Sequence, residues 1–146
     1  MLVLVLLVSK AWAKGGRIGG AGAILELLRG WGFKLGIVTN GSEKGQSAKI
    51  DVLGLRGLVD AVVISEIVGV KKPDPLIFTV ATEALGVAAE EVVFVGDHPQ
   101  NDVMGAVAVG MQAVWLRGSC EWPAGVPRIH SIDELLQLRS YLEKKL

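Results

Sequence analysis

Short apolar runs that alternate with helix-patterned segments are the feature that most constrains how this chain can fold. The runs are rich in Val, Leu and Ile and occupy residues 2–8, 34–38, 61–64, 91–95 and 112–116. Apolar residues at helical spacing follow them in segments 21–31, 43–53, 74–85, 101–109 and 132–145. Strands that alternate with helices form a parallel sheet covered on both faces. The sequence therefore predicts an α/β fold, a three-layer α/β/α sandwich with a mainly parallel sheet.

Length and charge limit the organisation and the partners of the chain. Its 146 residues fit one domain, which we expect to cover residues 1–146. The 15 Lys and Arg residues balance the 15 Asp and Glu residues, so we expect neither nucleic acid nor a membrane as a partner. Cys120 is the single cysteine, which excludes a disulfide within the chain and favours a reducing, cytoplasmic location.

The N-terminal run MLVLVLLV permits three interpretations. It can be a buried strand followed by a Gly-rich loop, which would make residues 1–16 an atypical start of the domain. It can be a short signal peptide, because Ala-Trp-Ala at residues 11–13 resembles a cleavage site, although no basic residue precedes the run. It can also result from truncation or cloning. We favour the strand, and the run is too short to span a bilayer.

Two segments that follow apolar runs carry groups suited to an anion. Thr39 and Asn40 lie in the segment GIVTNG, where a hydroxyl and the N–H groups of a turn can donate to a phosphate oxygen. Lys72 lies directly before Pro73, which favours an extended conformation, and its ammonium can neutralise a phosphoryl group. The alternatives are a capping Thr or Asn in the first segment and an exposed lysine pair, Lys71 and Lys72, in the second.

A third segment, VFVGDHPQND, carries two carboxylates at the end of an apolar run. Asp97 follows Gly96 in the turn, and Asp102 comes five residues later. Hard oxygen ligands of this kind suit Mg²⁺. The alternative is that Asp97 only forms the turn and Asp102 only begins a helix. His98 can border a substrate site, or it can be a turn histidine exposed to water.

In order and spacing, the segments GIVTNGS, GVKKPDPLIF and VFVGDHPQNDVMGA resemble motifs II, III and IV of the haloacid dehalogenase (HAD) superfamily. The resemblance covers residues 21–116 and is to small-molecule phosphatases and nucleotidases. It implies a Rossmann-like core and Mg²⁺-dependent hydrolysis of a small phosphorylated metabolite. It also implies that Thr39, Asn40 and Lys72 bind phosphate, that Asp97 and Asp102 bind the metal, and that Lys72 and Asp102 are catalytic, with Asp102 supporting the metal or the lysine.

The chain departs from the family at motif I. The family's first strand ends in Asp-x-Asp, which supplies the nucleophile and the general acid–base, whereas here Ser9 and Ala11 fall near those positions. No Asp or Glu precedes Glu26, and serine is not ionised at neutral pH. Only 30 residues separate Val8 from Thr39, which leaves no room for the family's helical cap domain. The chain is thus either a capless core with a degenerate first strand or a truncated larger enzyme.

Three functions are compatible with this pattern. The first is an impaired Mg²⁺-dependent phosphatase with weakened metal affinity, acting on a small phosphorylated metabolite. The second is a non-catalytic relative that retains a pocket for inorganic phosphate or a phosphorylated metabolite. The third is a dehalogenase-type hydrolase, which depends on the same missing Asp. The apolar N-terminal run and the zero net charge also lead us to expect a homo-oligomer.

Overall fold

The part of the chain that the structure describes forms a sheet of six strands, which all run in the same direction. The computed structural model describes residues 3–6, 17–118 and 120–146, with backbone alone for residues 3–6 and 17–21. The strands are β1 (Val3–Leu6), β2 (Lys34–Thr39), β3 (Ala61–Ile64), β4 (Val92–Gly96), β5 (Gln112–Leu116) and β6 (Ser131–Ile132). Their order is β3-β2-β1-β4-β5-β6, and every neighbouring pair is parallel. The predicted α/β class with a parallel sheet is confirmed.

Helices of unequal length connect the strands. They are α1 (Arg17–Gly30), α2 (Glu43–Val52), α3 (Ser65–Val68), α4 (Pro75–Leu85), α5 (Gly105–Ala108) and α6 (Leu138–Glu143). A π-helical segment, Pro99–Met104, runs directly into α5, and 3₁₀ turns lie at Arg56–Leu58, Ala89–Glu91 and Leu135–Gln137. None of the helices in the described ranges is both long and apolar enough to cross a bilayer.

Apolar side chains pack on both faces of the sheet, because neighbouring residues of a strand point to opposite sides. Ile37 belongs to one core cluster, which contains buried side chains from α1, α2 and α6. Val38 and Phe94 belong to the other cluster, which contains side chains from α4 and α5. Phe78 of α4 meets Phe94 edge-on, with ring centroids 5.3 Å apart. This gives the three predicted layers.

Part of the apolar N-terminal run forms a strand in the middle of the sheet. Leu6 of β1 lies opposite Ile37 of β2 and Val95 of β4, so β1 is paired on both edges. The Gly-rich loop and the two positions compared with Asp-x-Asp, Ser9 and Ala11, lie outside the described residues. Their roles stay predictions.

The predicted C-terminal helix over residues 132–145 is wrong at its start. Ser131–Ile132 forms β6, and Ile132 is buried opposite Leu116, so burial beside the sheet prevails over the local helix signal. The helix begins as a 3₁₀ turn at Leu135. Gln137 Oε1 accepts from the Asp133 and Glu134 N–H groups at 2.6 and 3.0 Å, which terminates the preceding extended segment.

The helix predicted over residues 101–109 begins earlier, at Pro99. His98 precedes it, and its Nδ1 accepts from the Asn101 N–H at 3.0 Å. A histidine that performs the capping usually done by Ser, Thr, Asp or Asn gives no recognisable start signal in the sequence.

Candidate functional site

A small cavity lies at the carboxyl edge of the sheet, where ligands of parallel α/β folds bind. Its volume is about 150 Å³, and it is lined by Thr39, Asn40, Lys72, Asp97, His98, Asn101 and Asp102. β2 ends at Thr39, and β4 ends one residue before Asp97. The structure thus places all five residues selected from the sequence around one cavity. Their individual roles stay predictions.

A buried ion pair forms the floor of this cavity. Lys72 Nζ lies 2.7 Å from Asp102 Oδ1, and the two side chains are only 2% and 1% exposed. Lys72 Nζ also donates to the Val38 carbonyl at 3.2 Å. Burial lowers the pKa of the Lys72 ammonium, while the Asp102 and Asp97 carboxylates oppose that shift. The cavity therefore contains an ammonium that is held in place by two oxygen partners.

Glycine at the end of β4 makes this ion pair possible. A Cβ atom on Gly96 would overlap the Asp102 side chain. Asp102 instead packs directly against the strand backbone, where its Oδ2 accepts from the His98 N–H at 2.9 Å. Both carboxylate oxygens of Asp102 thus have donors from the protein, one from Lys72 and one from His98.

The Asn40 side chain joins the first polar segment to the second. Its Oδ1 accepts from the Lys72 N–H at 2.8 Å, and its Nδ2 donates to the Lys72 carbonyl at 3.1 Å. This two-point contact fixes the main chain of Lys72. The Asn40 side chain thus holds the lysine that lines the cavity, and the predicted contact of Asn40 with phosphate stays a prediction.

Thr39 is almost fully buried and bonds to a residue that the sequence analysis missed. Its Oγ1 donates to Gln46 Oε1 at 2.8 Å, and the two residues are 1% and 9% exposed. Gln46 lies on α2, four residues before the fully buried Ile50. A polar residue on the buried face of an amphipathic helix was the signal that could have identified it.

His98 borders the cavity, which is one of the two positions predicted for it; the other was a turn exposed to water. It is half-buried, and its Nδ1 accepts from Asn101, so the neutral ring carries its proton on Nε2. Trp115 Nε1 donates to the main-chain oxygen of Asp97 at 3.1 Å, which ties the turn to β5. The turn between β4 and the π-helical segment is therefore held from both sides.

The carboxylates around the cavity fit a Mg²⁺ ion with Asp97 as its protein ligand. Mg²⁺ keeps several waters and is commonly held by one or two carboxylates together with substrate phosphates. Asp102 fits less well, because its oxygens already accept from Lys72 and His98. Across residues 3–6, 17–118 and 120–146, His, Cys, Asp and Glu form no group of three or more that could hold a metal ion. The predicted weak metal affinity stays a prediction.

Comparison with known proteins places this geometry in a family. A family model described as a haloacid dehalogenase-like hydrolase matches residues 16–110. A glyceraldehyde 3-phosphate phosphatase of Pyrococcus abyssi is 43% identical over 98 residues, which are 67% of this chain and 41% of that protein. A pyrimidine 5′-nucleotidase of Escherichia coli is 36% identical over 127 residues, 86% of this chain and 56% of that protein. The chain thus spans only about half the length of these relatives, or less.

The comparison with solved structures agrees. The crystal structure of a HAD phosphatase from Thermococcus onnurineus matches with a TM-score of 0.74 and 41% identity. The match covers 81% of this chain and 54% of that one. At 41% identity the two proteins are similar in amino-acid sequence as well as in fold.

Proposed function

The chain belongs to the haloacid dehalogenase-like hydrolase family, and we propose that its cavity binds the phosphate group of a small phosphorylated metabolite, or inorganic phosphate. The two relatives are named for glyceraldehyde 3-phosphate and for pyrimidine nucleotides. Both compounds are phosphate esters, and they differ in the organic part of the molecule. They support the phosphate group as the common element and leave the rest of the ligand open.

The buried ammonium of Lys72 is the observation that carries this proposal. An ammonium that is already desolvated and held by Asp102 and Val38 loses little entropy or hydration when an anion arrives. Charge-assisted hydrogen bonds from such a group are stronger than those between neutral partners. The Asn40 contact, which fixes the main chain of Lys72, supports the same role.

Mg²⁺ is part of the proposal because of the charge balance in the cavity. Asp102 neutralises Lys72, and Asp97 adds a further negative charge. A phosphate dianion therefore meets no surplus of positive charge from these three residues. Mg²⁺ held by Asp97 would supply the missing charge and neutralise the phosphoryl oxygens. We propose that the ion binds weakly alone and more tightly together with phosphate.

We propose that hydrolysis by this chain is absent or very weak. In-line phosphoryl transfer in the family begins with a carboxylate after the first strand, and the chain has no Asp or Glu before Glu26. Loss of a nucleophile costs on the order of a million-fold in turnover in other enzymes. The dehalogenase-type alternative depends on the same carboxylate, and the ammonium of Lys72 does not favour it over phosphate binding.

The test compares the wild-type chain with the double substitution Ser9→Asp/Ala11→Asp. Calorimetry with inorganic phosphate and Mg²⁺ measures binding, and an aryl phosphate measures hydrolysis. We expect binding by both chains and hydrolysis by the double variant alone, lost again when Asp97→Asn is added. Strong Mg²⁺-dependent turnover by the wild-type chain that Asp97→Asn abolishes would overturn the proposed impairment. Wild-type protein that binds no phosphate would overturn the proposed function itself.

We also propose that residues 1–146 form one domain, located in the cytoplasm, and that the chain associates with itself. β3 lies at an edge of the sheet, where further strands can pair, which supports self-association. Light scattering at high protein concentration is the measurement. A monomer mass would contradict the proposal of self-association.

A further inference from the structure

His98 is held by three hydrogen bonds in the turn between β4 and the π-helical segment. Its N–H donates to Asp102 Oδ2 at 2.9 Å, and its carbonyl oxygen accepts from the Asp102 N–H at 3.0 Å. Its ring nitrogen Nδ1 accepts from the Asn101 N–H at 3.0 Å. The main chain and the imidazole ring are therefore both fixed by the protein itself.

The fixed ring lies in the wall of the cavity at the carboxyl edge of the sheet. His98 is half-buried and lines that cavity together with Lys72 and Asp97. Because Nδ1 accepts a hydrogen bond, the neutral ring carries its proton on Nε2, at the opposite edge of the imidazole. One ring nitrogen thus serves the main chain, and the other supplies an N–H donor beside the cavity.

Capping of the following segment does not by itself explain a histidine at this position. Asn, Asp and Ser accept the same kind of hydrogen bond with a shorter side chain and are the preferred capping residues. Histidine adds a second ring nitrogen with a donor of its own. The segment that it caps, Pro99–Met104, is π-helical, a rare form that is frequent at functional sites. Both features favour a role of His98 in the cavity in addition to capping.

We infer that His98 binds phosphate directly, by donating from Nε2 to one of its oxygens. The charges of Lys72 and Asp102 cancel, and Asp97 adds a negative charge, so these groups alone do not orient an anion. A neutral N–H supplies a directional donor, and a ring that is already fixed loses little entropy when phosphate binds. This inference rests on the proposed function, because phosphate is the ligand proposed there.

The experiment separates the two ring nitrogens of His98 with two substitutions in the full chain. His98→Asn keeps an acceptor for the Asn101 N–H and removes the donor, because the Asn side chain is too short to replace Nε2. His98→Gln removes the capping acceptor, and its longer side chain carries an amide N–H to the region of Nε2. Calorimetry with inorganic phosphate, once with Mg²⁺ and once with a chelator, measures affinity, and the melting temperature measures stability.

The two variants should rank in opposite order for stability and for phosphate binding. We expect His98→Asn to melt close to wild type and to bind phosphate roughly two- to tenfold more weakly, the effect of one net hydrogen bond. His98→Gln should melt at a lower temperature than His98→Asn but bind phosphate more tightly than His98→Asn does. The loss in His98→Asn should appear with and without Mg²⁺, because the donor contacts phosphate and not the metal.

The other outcomes distinguish this inference from the proposed function. If His98→Asn binds phosphate as tightly as wild type does, His98 only caps the π-helical segment and the inference is wrong. A loss of affinity that follows the melting temperature, or that appears with Mg²⁺ alone, would also overturn it, because the effect would then pass through the fold or through Asp97. If His98→Gln does not fold, the comparison of wild type with His98→Asn decides. Wild-type chain that binds no phosphate would refute the proposed function, and the inference with it.

Discussion

Two cavities of this chain differ in volume and in the solvent exposure of the lysine side chains that line them. The cavity at the carboxyl edge measures about 150 Å³ and contains Lys72, which is 2% exposed. A second cavity, of about 560 Å³, lies between β6 and α6. It is lined by His130, Ser131, Ile132, Gln137, Ser140, Tyr141, Lys144 and Lys145. There both lysines are exposed, and Lys145 Nζ lies 4.9 Å above the Tyr141 ring.

The difference shows why volume alone does not identify a binding site. An exposed lysine is hydrated and screened, and it loses side-chain entropy when it is fixed on a ligand. Lys72 has already lost its hydration, and Asp102 and Asn40 hold it in position. The smaller cavity is therefore the one whose polar groups are organised before a ligand arrives.

The largest effect that separates the two cavities should come from Lys72→Met. It removes the ammonium from the cavity and leaves the Asp102 carboxylate buried without its partner. We expect a loss of about 3–5 kcal/mol of unfolding free energy. We also expect a roughly 10- to 150-fold loss of phosphate affinity, the effect of hydrogen bonds to a charged group. Denaturant titration and calorimetry with inorganic phosphate measure the two effects.

Lys71→Met is the matched control, since Lys71 is the neighbouring residue and is exposed. It removes the same charge from the chain without opening the ion pair, so both measurements should stay close to wild type. If Lys71→Met weakened phosphate binding as much as Lys72→Met, the loss of affinity would come from the change in net charge of the chain and not from removal of the buried ammonium.

Asp97→Asn should change phosphate binding in opposite directions with and without Mg²⁺. In the presence of a chelator, loss of a negative charge beside the cavity should tighten phosphate binding by about three- to tenfold, as expected for a partly screened charge pair. With Mg²⁺ present, the variant should bind more weakly than wild type, because the metal loses its carboxylate. By linkage, any factor by which Mg²⁺ tightens phosphate binding is the factor by which phosphate tightens Mg²⁺ binding. A change of the same sign under both conditions would contradict the role of Asp97 as a metal ligand.

The lowered pKa of Lys72 predicts a pH dependence of stability in the absence of metal and phosphate. Between the folded-state pKa and the ordinary value of 10.5, the unfolded chain binds more protons at Lys72 than the folded chain does. Unfolding free energy should therefore rise with pH in that window, and no change from this group is expected below the folded-state pKa. The stability of the wild-type chain minus that of Lys72→Met isolates the effect. A difference that stays constant up to about pH 10.5 and falls as the pH rises further would mean that the ion pair raises the pKa of Lys72.

Structural features that depend on residues close together in the sequence could be predicted, whereas features that depend on residues far apart could not. The fold was predictable because strands β1 to β5 are apolar runs and each long helix repeats apolar residues within one segment. Thr39, Lys72 and Asp97 were selected because each stands out in a short motif. β6 was not predicted, because two residues are too few to show a period and only their pairing with Trp115 and Leu116 makes them a strand.

The contacts that organise the site could not be predicted in this way. Gln46 reaches Thr39 over seven positions, and Asn40 reaches Lys72 over 32. Neither residue type indicates its partner, since an amide can donate or accept in any direction. Such contacts depend on how α2 and the loop before α4 pack on the sheet, which is a property of the folded chain.

The smallest effect should come from Lys145→Met in the second cavity. The substitution removes an exposed ammonium and its contact with the Tyr141 ring, and it leaves the buried groups of the carboxyl-edge cavity unchanged. We expect phosphate affinity within about twofold of wild type and an unchanged melting temperature, since exposed charges contribute little. The same calorimetric titration that is used for Lys72→Met provides the comparison. If Lys145→Met reduced the phosphate affinity as strongly as Lys72→Met, phosphate would bind in the larger cavity. Burial of a lysine ammonium would then not identify the cavity that binds phosphate.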